Sequence, residues 1–577
     1  MKTVFSYLKP QYWRIALQLT IKFTGTVTEL FIPWMLSHII DEIVPLKDMG
    51  KVYLWGFFML LAAGVALAGN VIANRYSTRI SRRFTRQLRH DAFKRVSYLS
   101  ARQIDAFTLS SLISRLTSDT YNVHQMVDRM QRLGVRAPIL VLGGVIVTFS
   151  LEPVLTLVLL CTLPLLGAVV ITVSRKGVPL YGRVQQAVDG MVRKVQENMT
   201  GVRVIKALSK TDYEKARFDE VNREVVRRDQ HAGAVMATTN PVMSLFLNLG
   251  LTAVVVVGAF RVNAGLSQPG KIIAFLSYFT IILNAMMMVS RLFMIYSKGA
   301  ASAKRIEEIL VTPMEPTLQA ADAERSEYHV EFKDVSFSYN KAKDKTRDDV
   351  EHISFRLKRG ETLGIIGPTG SGKSTVVSLL MRFYDADEGE IRIGGKRIEG
   401  IPEEELHTMF GVVFQNDFIL ADTILENIDF GRNIPEDAIR RAAADAQAEF
   451  IEEKEDGLLH MLTAKGANLS GGQKQRLLIA RALAGDPDIL ILDDCSSALD
   501  YRTDAALRRA IRNHYRDTTT VIIAQRISSI LHADHILVLD GGRVIGAGRH
   551  EELLASCPDY KEIYDVQMGE AMEGGEL

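Results

Sequence analysis

Long apolar stretches dominate the first half of the chain, while short apolar runs separated by turns and helical patches dominate the second. A helix crosses the ~30 Å hydrocarbon core of a membrane with roughly 20 mostly apolar residues. Five segments reach or approach that length: 52–72, 135–151, 154–173, 241–260 and 272–296. A sixth, 13–39, is long enough but carries Lys22 and Glu29; counting it makes the spans even in number and keeps both chain ends on one side. From Tyr328 onward the pattern changes to β-rich runs, turns and helices, the signature of a soluble α/β domain. Pro313 and Pro316 interrupt a stretch of low apolar content ahead of it. This predicts a linker over 311–328, between a membrane domain at 1–310 and a soluble domain at 329–577.

The loops set the orientation. After the second span come Arg75, Arg79, Arg82, Arg83, Arg86, Arg89, Lys94 and Arg95, a positive run that belongs in the cytoplasm. The linkers on the other face, at 44–51, 152–153 and 263–270, are short and carry few charges. Both termini and the whole second half are therefore expected in the cytoplasm, with the chain a multi-pass membrane protein. The connections between spans two and three, and between four and five, are far longer. In the first of them Ile104, Phe107, Leu112 and Leu116 recur at helical spacing. Two readings stand: a folded loop, or span helices that run on into the cytoplasm and end in short helices pressing on another domain.

Charges inside spans are costly and by default point to a cavity or a partner. Lys22 and Glu29, seven residues apart, share one helix face with Thr26, and Arg291 sits in the last span. They are candidates for the substrate path; the other reading is snorkelling or a structural ion pair.

Composition narrows the class further. A chain of 577 residues exceeds one ordinary core. A formal charge of +2 argues against a nucleic-acid partner, which usually needs a strongly basic face. Cys161, Cys495 and Cys557 lie far apart without metal-ligand spacing, so no disulfide framework is expected and a reducing compartment is. The first ten residues contain no compact apolar stretch with a small-residue cleavage site, so no removable signal peptide is expected.

The chemistry lies in the second half. Gly367-Pro-Thr-Gly-Ser-Gly-Lys-Ser374 follows the apolar run 363–366 and opens a helical stretch at Thr375, the strand–loop–helix setting of a phosphate loop. Gly367, Gly370 and Gly372 let backbone N–H groups face phosphates without a Cβ in the way. Lys373 is placed for the β- and γ-phosphates, Ser374 for Mg²⁺, and Thr375 belongs to the same binding set. Ile489-Leu-Ile-Leu-Asp493 is an apolar strand ending in a carboxylate, where Asp493 is expected to hold Mg²⁺ through water. The expected fold class is thus a membrane α-helical domain of six transmembrane helices plus a cytoplasmic α/β P-loop nucleotide-binding domain, with ATP and Mg²⁺ as cofactors.

Between those two motifs stands Leu469-Ser-Gly-Gly-Gln473, and with it the chain resembles the ATP-binding cassette transporters. The resemblance extends over most of the sequence. Tyr339, in Val335-Ser-Phe-Ser-Tyr339, resembles the aromatic residue that stacks on adenine. Gln415, in Val413-Phe-Gln-Asn-Asp417, is similar to the Gln that touches Mg²⁺ and the membrane domain. Ser497-Ala-Leu-Asp500 resembles the loop that crosses the dimer interface. Ser114-Arg-Leu-Thr-Ser-Asp119 and Glu197-Asn-Met-Thr-Gly-Val-Arg-Val-Ile205 resemble cytoplasmic segments of the exporter branch. The resemblance implies the cassette-exporter fold, a dimer with swapped helices, and coupling helices set on the cassettes. It also implies that Ser470, Gly471, Gly472 and Gln473 contact nucleotide held on a partner's phosphate loop, with Asp500 at the interface.

Two departures qualify it. Asp493 should be followed by the Glu that polarises the attacking water, and here Asp494 stands. A carboxylate one methylene shorter is withdrawn by about 1.5 Å, and a misplacement of that order costs ~10²-fold in rate. In Val521-Ile-Ile-Ala-Gln-Arg526 the family places a His, and here Gln525 stands, able to donate a neutral hydrogen bond but not to carry a proton. Thr463-Ala-Lys-Gly466 also lacks the Glu common just before the signature. Asp494 and Gln525 therefore read as weak or inactive catalytic positions in a site that binds ATP and hydrolyses it poorly. The intact signature would complete a competent site on a second half-transporter bearing the consensus Glu and His. The expected function is a heterodimeric exporter subunit moving small amphiphilic compounds, drugs or lipids (peptides next), in contact with membrane lipids. The alternatives are a slow homodimeric exporter using Asp494 as base, and a non-transporting ATP-binding membrane sensor.

Overall fold

The computed structural model describes residues 1–313, 326–339, 349–415, 418–495 and 499–573. They form two compact units, one of Met1–Tyr98 with Phe107–Thr312, the other of Leu99–Ala106 with Pro313–Leu577.

The first unit contains six rods long and apolar enough to cross a membrane: Thr3–Leu46, Met49–Ser97, Leu109–Leu151, Pro153–Thr200, Thr211–Asn263 and Pro269–Val311. Each covers one of the six expected spans and runs past it. Within them lie α1 (Tyr12–His38), α2 (Met49–Ser97), and, after a short α3 (Ala101–Phe107), α4 (Thr120–Leu133) and α5 (Arg136–Leu151). Then come α6 (Pro153–Thr200), the short α7 (Val202–Ala207), α8 (Thr211–Ala237), α9 (Thr239–Asn263) and α10 (Pro269–Val311). The 49 residues of α2 make a rod about 74 Å long, more than twice the hydrocarbon thickness. The long connections are thus mostly span helices continued, as the second of the two readings expected. On the continued part of α2, Ser77, Ile80, Ser81, Phe84, Thr85, Leu88 and Ala92 face inward. The exposed positions between them carry Arg75, Arg79, Arg82, Arg86 and Arg89. Where α1 meets α2, a Cβ on Gly69 would stand 3.2 Å from the Cα of Gly25, so small residues let the two backbones touch. The core of the spans gathers around α10, where Phe275, Tyr278, Phe279 and Ile282 pack against Leu30, Leu140, Leu155 and Leu159.

The second unit holds two sheets. One is antiparallel, in the order β2 (Val350–Leu357), β1 (Val330–Phe337), β4 (Glu388–Ile393), β5 (Lys396–Arg397). The other has six strands, in the order β10 (Arg543–Gly548), β9 (His535–Asp540), β3 (Thr362–Ile366), β8 (Thr519–Ile523), β7 (Ile489–Asp493), β6 (Phe410–Val413). All its pairs are parallel except β9–β10. β7 is buried at every position, which is why a doubly covered strand reads as an unbroken apolar run. In this order β3, β8 and β7 are neighbours, so the loops leaving their carboxyl ends meet along one edge. That edge is where open parallel sheets bind ligands.

Candidate nucleotide site

The loop between β3 and α11 (Lys373–Leu380) is shaped by two glycines that nothing larger can replace. A Cβ on Gly367 would fall 2.0 Å from the Leu539 carbonyl oxygen, and one on Gly372, at φ +98°, 2.7 Å from Val350. Gly370 has φ +83° with open space around it. The Lys373 amine folds over the loop and donates to the carbonyls of Gly367 and Pro368, both at 2.8 Å. Burial pushes this amine below the ordinary lysine range, against the pull of Asp493 and Asp494. The Ser374 hydroxyl donates to Asp493 at 3.4 Å across the boundary between α11 and β7. Burial pushes the Asp493 carboxyl above the usual range, partly offset by that bond. A hydroxyl and a carboxylate side by side at the phosphate end are the hard oxygen donors that suit Mg²⁺. No cluster of three or more His, Cys, Asp or Glu side chains suited to a metal occurs among the described residues.

Next to this pair, Asp494 adopts φ +52°, a left-handed conformation that Asp tolerates, with its N–H donating to the Ile523 carbonyl of β8. Its carboxylate accepts a 2.8 Å hydrogen bond from Nε2 of Gln525, just beyond β8. Burial raises the Asp494 carboxyl, against Arg526 and Lys373. The two positions that depart from the family pattern therefore bind each other. Tyr339 is 46% exposed and its hydroxyl reaches Thr375 at 3.4 Å, so a flat exposed ring stands beside the loop. Gln415 lies in an exposed turn after β6, beside β7 in the sheet.

The signature is built differently. Ser470 caps α12 (Gly471–Leu483): its hydroxyl accepts from the Gln473 N–H, and Gln473 Oε1 accepts from the Ser470 N–H. The cap leaves an exposed helix N-terminus at Ser470 and Gly471, with Gly472 half-buried, a backbone arrangement suited to an anion. It sits on a core with Leu469, Leu477 and Ile479, separate from the core that holds Val376, Val377 and Leu380 of α11. Asp500 caps α13 (Tyr501–His514), accepting from the Thr503 N–H and hydroxyl, which hold its carboxyl below the usual range. Ser497 and Ala498 lie outside the described residues.

Residues 15–286 match the family described as "ABC transporter transmembrane region", and residues 350–497 match "ABC transporter". The chain is 35% identical to "Uncharacterized ABC transporter ATP-binding protein YfiB" of Bacillus subtilis over 578 residues, covering 100% of both. The chain is an ABC transporter. It is also 32% identical to the uncharacterized transporter Rv1273c of Mycobacterium tuberculosis, covering 99% of this chain and 98% of the other. Its fold matches "Structure of a bacterial Atm1-family ABC exporter with ATP bound" at a TM-score of 0.81, with 23% identity and coverage of 97% and 98%. This is the ABC exporter fold in a half-transporter, with one membrane region and one cassette, and membership in the family implies ATP binding, normally with Mg²⁺.

In the transporter's spans, Lys22 and Glu29 each take a partner on another helix. Lys22 is buried and donates to Asn70 at 2.8 Å and Asn74 at 3.1 Å. Glu29 pairs with Arg136 of α5 at 2.8 Å, and Arg291 is exposed on α10. Sequence reasoning missed Asn70, Asn74 and Arg136, although an arginine just inside the 135–151 run was a signal. It also missed how α3 joins the cassette. The Asp105 carboxylate accepts from the Tyr384 hydroxyl at 2.6 Å, and Arg102 lies 3.8 Å from Asp387 and over the Phe337 ring. Tyr384 and Phe337 also pack edge-on against Tyr339, each with centroids 4.9 Å away.

Proposed function

We propose that this transporter is one subunit of a heterodimeric ATP-driven exporter of amphiphilic compounds, drugs or lipids. Its own Walker site binds ATP and hydrolyses it poorly, and its signature completes the active site of a partner that supplies a catalytic Glu and His. The observation that carries this reading is the 2.8 Å bond between Gln525 and Asp494. A Gln amide cannot take up or give a proton, and here it occupies an oxygen of a carboxylate already one methylene too short. Neither group is left suited to draw a proton from water beside the γ-phosphate.

The binding half of the site keeps its parts. The Tyr339 ring offers a face for the adenine, the N–H groups of the loop from Gly367 to Thr375 cradle phosphates, and the Lys373 amine exchanges its two loop carbonyls for phosphate oxygens. Ser374 and Asp493, with Gln415 beyond them, would hold Mg²⁺, which neutralises charge on the β- and γ-oxygens. Ser470 to Gln473 present N–H groups to nucleotide on the partner, with Asp500 next to the interface. Arg291 and the Lys22 and Glu29 neighbourhood are assigned to the substrate path. The arginines that follow the second span support cytoplasmic termini, and the transporter is assigned to a bacterial cell (inner) membrane.

The test is ATP turnover by this chain purified alone in lipid, beside its Asp494→Glu/Gln525→His variant. The wild type is expected to be nearly silent and the variant about 10²-fold faster. Brisk turnover by the wild type alone would overturn the heterodimer reading and leave a homodimeric pump using Asp494.

A further inference from the structure

The side chain that meets Asp494 is itself held from outside the motif. β8 ends at Ile523, and the Ala524 N–H donates the last bond to β3, at the Ile365 carbonyl. Beyond that point the backbone is taken up by one residue of α14 (Pro558–Glu573), the last helix of the chain. Nε2 of Gln567 donates to the Gln525 carbonyl at 2.9 Å, and Oε1 of Gln567 accepts from the Ile527 N–H at 2.8 Å. A single amide thus closes on both sides of Arg526, as a neighbouring strand would.

The helix carrying Gln567 rests on the surroundings of the site. Tyr560 is fully buried, with Ile563 and Tyr564 beside it, in a cluster that includes Ala524, Ile527 and Ile530. The same cluster contains Ile366, the residue immediately before the phosphate loop. His550 bonds the Tyr560 hydroxyl at 2.8 Å and fixes the start of the helix. Packing sets the distance of α14 from both loops, and Gln567 turns that distance into a position for the backbone of residue 525.

We propose that Gln567 is a positioning residue of the nucleotide site. It clamps the backbone around Arg526 and so sets where the side chain at 525 meets the carboxylate at 494. The inference rests on the reading of those two positions as the γ-phosphate end of the site. Because the clamp grips backbone, it acts on whatever side chain stands at 525.

The test uses the full chain in lipid and has two arms. Amide exchange of the segment 524–528 compares the wild type with Gln567→Leu; losing the clamp is expected to speed exchange there about tenfold. Unchanged protection overturns the inference. The second arm measures steady-state turnover of the Asp494→Glu/Gln525→His chain with and without Gln567→Leu. The kcat is expected to fall about tenfold while KM for ATP stays within about twofold, since Gln567 touches no nucleotide. Gln567→Glu keeps the acceptor for Ile527 and loses the donor to residue 525, so its kcat falls in between. It carries the comparison if Gln567→Leu fails to fold. An unchanged kcat overturns the clamp and leaves the impaired-site reading standing. A doubly substituted chain that stays silent counts against that reading instead, and amide exchange alone then decides the clamp.

Discussion

The phosphate end of the cassette and the charged seam of the spans handle polar groups in opposite ways. At the cassette edge, Lys373, Ser374 and Asp493 sit where neighbouring parallel strands end, and their side chains bond loop backbone or each other. In and beside the spans, Lys22, Glu29 and Glu152 are each matched by a group on a different helix. Lys22 has Asn70 and Asn74, Glu29 has Arg136, and the nearly buried Glu152 has Arg261 at 3.2 Å. Water around a loop lets its polar groups stay available for a ligand. A hydrocarbon surround forces them to be satisfied within the fold. The same residue types are therefore bonded within their own loop in one region and to a different helix in the other.

Lys373→Ala would test the first half of that contrast most severely. The amine now bonds two carbonyls of its own loop, and those bonds are replaceable by solvent. Its removal is expected to cost little in folding but about 1.5–3 kcal/mol of nucleotide affinity, the loss of a charge-assisted contact to phosphate. Equilibrium binding of ATP with Mg²⁺ to the full chain measures this, and an affinity unchanged within error would break the comparison. Stripping Mg²⁺ with a chelator should weaken the wild type as well, through Ser374 and Asp493.

How far the sequence reached follows the same division. The phosphate loop and the signature were legible because their geometry is set within a few residues: a glycine at each tight approach, a capping Ser three residues before its Gln. The six spans were legible because length alone decides them. The bond from Gln525 to Asp494 was not, since it needs β7 and β8 to be neighbours, and strand order is a property of the whole sheet. Helical spacing around Ile104 and Phe107 gave a helix but not its destination, because the partner of Asp105 lies 279 residues away at Tyr384. Lys22 and Glu29 share a helix face as expected, yet each is satisfied by another helix.

Arg136→Ala tests the second half. Removing one member of a fully buried pair costs about 3–5 kcal/mol. With 27% of each side chain exposed, about 1–3 kcal/mol is expected here, read as a lower melting temperature in detergent. Glu29→Leu together with Arg136→Met should recover most of the loss, because apolar replacement removes the unpaired charge as well as the pair. If the double variant is no better than the single one, the pair serves something other than structure, and the seam moves closer to the substrate path.

The smallest effect sharpens the comparison within one residue. Ser470 is the cap of α12 and, on the proposed function, also the first polar group a partner's nucleotide would meet. Ser470→Ala removes the acceptor for the Gln473 N–H and should cost about 1 kcal/mol of cassette stability. Ser470→Asp restores an acceptor at the cap, and a carboxylate favours a helix N-terminus, so stability should return to about the wild-type value. That carboxylate would occupy and repel the place of a phosphate. Stability regained while turnover of the assembled transporter stays low would separate the structural from the binding role of this end. Turnover that follows stability through both variants would mean that the serine acts as a cap alone.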